Sequence, residues 1–66
     1  MKNKVKDERL KLNITQQELA DKLSVSRQTI FAIETGKYIP STILSLKIAK
    51  AFKKNVEEIF SLEKGD

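Results

Sequence analysis

Thr15–Gly36 reads TQQELADKLSVSRQTIFAIETG, and this stretch decides how the rest of the chain is put together. Thr15 followed three residues later by Glu18 is a capping box: the hydroxyl takes a free first-turn amide and the carboxylate reaches back to the cap amide. The spacing predicts a helix over Gln16–Leu23 with Leu19, Ala20 and Leu23 inward. Ile14, just ahead of the cap, is placed to pack on Leu19 as a hydrophobic staple. Ser24-Val25-Ser26 leaves room only for a tight turn. Val25 plugs the corner, and Ser26 caps a further helix, Arg27 to Thr35, with Ile30, Ile33 and Glu34 inward. Gly36 stops it, and the small side chain of Ala20 lets the two helices approach closely.

Working outward, a helix is expected from about Lys2 to Leu12, with Val5, Arg9 and Leu12 on one face and Leu10 on its flank. Asn13 tolerates the left-handed conformation that ends such a helix. Lys37-Tyr38-Ile39-Pro40 is a loop. Ser41 caps a fourth helix to about Phe52, whose apolar set is Ile43, Leu44, Ile48, Ala49 and Phe52. Lys53-Lys54 suits its negative dipole end. Asn55 and Glu58 make a second capping box, opening a short fifth helix through Ile59 and Phe60. Ser61–Asp66 extends as a short terminal strand or frays. The fold class is therefore all-α, with five helices and little or no strand.

Sixty-six residues suffice for one small domain, 1–66. With no Cys and no His there is no disulfide, thiolate chemistry or imidazole metal site, so no cofactor is expected. A chain this small draws stability from well-fitted helices or from a second copy of itself. The net charge of +4 and pI of about 9.5 favour anionic partners. No apolar run is long enough for a membrane span, and MKNKVKDERLK lacks a hydrophobic signal core. The chain reads as cytoplasmic and uncleaved.

The third helix has one strip turned away from its apolar side: Arg27, Gln28, Phe31, Ala32 and Thr35. Arg donates a forked pair to guanine O6 and N7, and Gln pairs both edges of adenine. Both stand in the first turn, where a helix entering the major groove places its readers. The alternative is a solvated polar face, the default for any surface helix. A large apolar Phe31 on that strip wants a partner. A thymine methyl is one; folding back over Thr35 or the loop is the other.

The segment Thr15–Ser41, TQxELAxKLxVSRQTIxxIExGKYxPS, resembles the helix-turn-helix of phage Cro and repressor proteins, the xenobiotic-response-element type of regulator. Arg9-Leu10, the fourth helix and VEEIF fall where that five-helix, lambda-repressor-like domain wants them. The helix-turn-helix then covers about residues 16–35. SRQTI and GKY-x-PS are most similar to compact, stand-alone bacterial and archaeal members, which lack an effector domain. The resemblance implies that Arg27, Gln28, Phe31 and Ala32 read bases. It also implies that Gln16 clamps a phosphate at the start of its helix. Thr29, Lys37 and Tyr38 bring a hydroxyl, a cation and a phenol that suit other phosphates, as does Ser26 beside its capping role; the alternative for Tyr38 is a lid on the core with its hydroxyl in water. Arg9 and Glu34 would form a partly buried ion pair, which a carboxylate on the inward side of a helix needs. Similar compact members dimerise through the C-terminal end, so Ile59, Phe60 and Leu62 within 56–66 are expected at a homodimer interface; folding back on helix one is the alternative. Two departures stand out: Phe31, where many members have a polar residue, often Asn, and Lys53-Lys54, where relatives usually have Gly and an apolar residue.

Asp7-Glu8 and Glu57-Glu58 are adjacent carboxylates that point in different directions along their helices and cannot share a substrate. With no glycine-rich phosphate loop either, no catalytic constellation is present and no enzyme is expected. The expected partner is a double-stranded DNA operator, with no membrane and no small-molecule effector evident. The implied activity is transcriptional regulation, most readily repression as a homodimer on a palindromic site. The runner-up is an antitoxin-like or other protein-interaction module.

Overall fold

Nearly every helix of this chain starts where a side chain can take up a free backbone amide, and those caps set the element boundaries. A computed structural model describes Met1–Asp66. In chain order it contains β1 (Lys2–Asn3), α1 (Val5–Lys11), α2 (Gln16–Leu23), α3 (Arg27–Glu34), α4 (Thr42–Phe52), α5 (Val56–Ile59) and β2 (Phe60–Ser61). Both halves of the Thr15–Glu18 capping box form, at 3.0 Å for Glu18 N to Thr15 Oγ1 and 2.8 Å for Thr15 N to Glu18 Oε1. Ser26 Oγ accepts from Thr29 N at 3.1 Å, and Ser41 Oγ from Leu44 N at 3.1 Å. At the head of α5 one half of the second box forms: Asn55 N donates to Glu58 Oε1 at 2.9 Å, while Glu58 N bonds the Asn55 carbonyl at 3.0 Å.

Three non-glycine residues adopt the left-handed backbone: Asn13 (φ 56°), Ser24 (φ 58°) and Lys53 (φ 55°). They end α1, α2 and α4 in turn. Gly36, at φ 78°, ends α3. Lys53 therefore holds a conformation that glycine adopts more cheaply.

α2 packs most extensively on α3 and also on α4, while α1 lies against both α3 and α4 and α5 closes over α4. Val5, Leu19, Ala20, Ile30, Ile33 and Ile48 are fully buried where these helices meet. Leu23, Leu44, Ala49, Phe52, Ile59 and Phe60 complete the core, with Ile14 and Val25 packed at its edge. The inward sets expected for α2 and α3 are thus the buried ones, and Glu34 has its side chain only 2% exposed.

The structure corrects several expectations. α1 begins at Val5, not Lys2, because Lys2–Asn3 are drawn into an antiparallel pair with β2, Lys2 opposite Ser61 and Asn3 opposite Phe60. Leu12 is 48% exposed: the helix ends at Lys11, so Leu12 sits past the last turn and the third inward position goes to Glu8. Ile43 is 70% exposed, since it lies five positions before Ile48 and that offset rotates it by about 140° around α4. α3 stops at Glu34, with Thr35 as its cap residue. Ile59 and Phe60 do not face outward. They are 2% and 6% exposed, because pairing β2 with β1 folds this end back over the bundle. Of the three residues expected at a dimer interface, only Leu62 remains at the surface.

Candidate nucleic-acid interface

α3 is held at both ends. At its start, Ser26 Oγ takes the Thr29 amide and also lies 2.9 Å from Thr29 Oγ1; one O–H is spent between the two hydroxyls and the other is left as a free donor. At its end, the Thr35 hydroxyl donates to the carbonyls of Phe31 (2.9 Å) and Ala32 (3.3 Å). The amides of Lys37 (2.9 Å) and Tyr38 (3.2 Å) return to Ala32 O. This places Lys37 and Tyr38, both exposed, directly beside the last turn.

Between those ends lies the strip. Arg27, Gln28, Phe31 and Thr35 are exposed and Ala32 is half-buried, all on the side of α3 opposite Ile30 and Ile33. No ion pair engages Arg27. Phe31 is 47% exposed rather than tucked beneath Thr35 or the loop.

Behind the strip, Arg9 grips Glu34 through Nε–Oε2 (2.7 Å) and Nη2–Oε1 (3.2 Å), and its Nη1 donates to Ile14 O at 2.9 Å. Gln16 Nε2 donates to Glu34 Oε1 at 3.0 Å. The head of α2 is thereby tied to the tail of α3. Gln16 has two N–H donors; one serves Glu34 and the other is left free. The Arg9–Glu34 pair is the one the resemblance implied; the Gln16 bond to it emerges only in the tertiary structure.

Two further groups escaped the sequence reading. Glu8, buried on α1, accepts from Lys54 Nζ and Lys11 Nζ, each at 3.1 Å. These bonds, Lys54 first and Lys11 second, hold its carboxyl below the ordinary carboxylate range. The signal was available: Glu8 is three residues after Val5 and shares its face. Asn3 was the other, hidden inside a segment read as helix.

A family model described as helix-turn-helix matches residues 5–59. The chain belongs to the helix-turn-helix family. An uncharacterized HTH-type transcriptional regulator of Methanocaldococcus jannaschii is 59% identical over 63 residues, covering 96% of each chain. One from Bacillus subtilis is 49% identical with the same coverage, and one from Methanothermobacter thermautotrophicus is 44% identical over 96% of this chain and 93% of its own. The helix-turn-helix itself is α2, the Ser24–Ser26 turn and α3, and the five-helix all-α fold with its small ribbon is the fold that the sequence pointed to. No helix is long and apolar enough to cross a membrane.

Proposed function

We propose that this chain is a sequence-specific, double-stranded-DNA-binding transcriptional regulator that acts as a repressor, binding a near-palindromic operator as a homodimer. The observation that carries the reading is the exposed strip of α3, opened by Arg27 and Gln28 and anchored to the core behind it by Ile30, Ile33 and Glu34. Such a helix lies in the major groove with its first turn against base edges. Arg27 and Gln28 read bases, joined by Phe31 and Ala32. Gln16, Ser26, Thr29, Lys37 and Tyr38 contact phosphates, which set register without carrying sequence information. Occupying the operator then blocks polymerase, and no chemistry is required.

A second copy would meet Leu62, 80% exposed, and the exposed aliphatics Ile39, Ile43 and Leu46 beside and along α4. Two-fold pairing places the recognition helices roughly 34 Å apart, one turn of duplex.

Selection of bound duplexes from a random pool tests the whole reading at once. The expected product is one half-site repeated with inverted symmetry at that spacing, bound with an affinity that falls steeply with salt. A pool that shows no enrichment after repeated rounds overturns sequence-specific binding, and a single unrepeated site overturns the dimer.

A further inference from the structure

One carbonyl at the end of α3 takes two donors, one local and one distant. Ile33 O would ordinarily accept from the amide four residues on, but Lys37 N turns back to Ala32 O. Ile33 O is met by Gly36 N at 3.0 Å and by a side chain from far away in sequence, Asn3 Nδ2 at 2.9 Å. The same Asn3 side chain accepts from Val5 N at 3.1 Å through Oδ1. A donor need on one side and an acceptor need on the other admit only this orientation of the amide. Asn3 thus starts α1, which has no side-chain cap of its own at Lys4, and finishes α3. Its backbone is fixed in turn by pairing with Phe60 in the β1–β2 ribbon.

The next residue of α3, Glu34, is gripped by Arg9, on the same helix that Asn3 opens. Burial of Ile30 and Ile33 seats α3 on the core, and Glu34 ties its end to Arg9 and Gln16. The bond from Asn3 to Ile33 O adds a tether from the other end of α1. We infer that Asn3 is a positioning residue for DNA reading: through it, the ribbon fixes the angle at which α3 presents its strip. The inference rests on the function proposed above.

Asn3→Ser separates this role from helix initiation. A serine hydroxyl still accepts from Val5 N but cannot reach Ile33 O. The expected result is an affinity for the selected duplex lowered about five- to tenfold, the net worth of one hydrogen bond. Affinity for random duplex and the salt slope should stay as in the wild type, because phosphate contacts remain. Amide exchange at Gly36 and Lys37 should quicken. Asn3→Asp keeps the Val5 acceptor and turns a carboxylate oxygen toward Ile33 O, so it should reproduce the selective loss if Asn3→Ser does not fold. An equal loss on selected and random duplex, or unchanged affinity for the selected one in a folded variant, overturns the inference. So does unaltered exchange at Gly36 and Lys37 in a protein that still discriminates between duplexes. A wild-type chain that discriminates none removes the DNA reading itself, which Asn3 variants are not needed to show.

Discussion

Arg9 and Glu34, 25 residues apart in sequence, meet in a two-pronged ion pair whose carboxylate also takes a hydrogen bond from Gln16. The pair is almost wholly removed from water, with side-chain exposures of 9% and 2%. Truncating one partner leaves the other charged and buried. Glu34→Ala is expected to lose about 3–5 kcal/mol of stability, read as a lower urea midpoint. The double replacement Arg9→Met with Glu34→Leu should recover much of that loss, because a buried pair exchanged for apolar groups of similar size is often neutral. A Glu34→Ala midpoint equal to the wild type would contradict the burial argument.

Arg27 stands exposed at the head of the strip with no acid to hold it. Arg27→Ala should cost about 1–3 kcal/mol at the selected site and relax preference at a single base pair. Titration against a set of singly substituted duplexes measures this. A loss spread evenly over all of them would make Arg27 a phosphate contact.

Phe31 projects from the same strip, and a thymine methyl is the partner that its chemistry suits. Replacing thymine by uracil at the contacted position should weaken wild-type binding by about 0.8 kcal/mol, the value of one buried methyl or methylene. The same replacement should leave Phe31→Ala unaffected. Equal losses in both proteins would show that the ring does not touch the methyl.

Glu8 is held ionised by Lys54 and Lys11. Its folded pKa is lowered, so its contribution to stability is present above the unfolded glutamate value, about 4.3, and disappears as pH falls through the lower folded value. Glu8→Gln should therefore flatten the acid limb of a stability–pH profile while leaving its shape above neutrality unchanged. An acid limb as steep as the wild type's would remove Glu8 from the titration.

Lys53 ends α4 at φ 55° without being glycine. Lys53→Gly trades that strain, of order 1–3 kcal/mol, against the larger unfolded-state entropy of glycine, about 0.4–1 kcal/mol. A net gain of about 1 kcal/mol in thermal or urea unfolding is expected. A destabilised variant would mean that the lysine charge at the helix end outweighs the backbone.

The local grammar of this chain was legible from its residues: Thr15 with Glu18, Ser26, Ser41 and Asn55 with Glu58 each cap the helix they precede. The inward faces of α2 and α3 were legible too, because helical spacing along eight residues leaves few ways to bury Leu19, Leu23, Ile30 and Ile33 together. So was the strip of α3, as the complement of that inward face. A cap or a face is a property of neighbours within one turn, and the sequence carries it directly.

Which distant groups meet was decided by the tertiary structure. Lys2–Asn3 and Phe60–Ser61 are each too short to declare a strand and become one only by finding each other. That pairing buries Ile59 and Phe60 within this chain and brings Asn3 to the end of α3. Helical spacing likewise put Leu12 on the core side of α1 and Ile43 on that of α4, whereas Glu8 is buried and both aliphatics are exposed. Burial depends on where a helix stops and on what packs against it, and the buried Glu8 carboxylate is neutralised by Lys54, 46 residues away, together with Lys11 on its own helix.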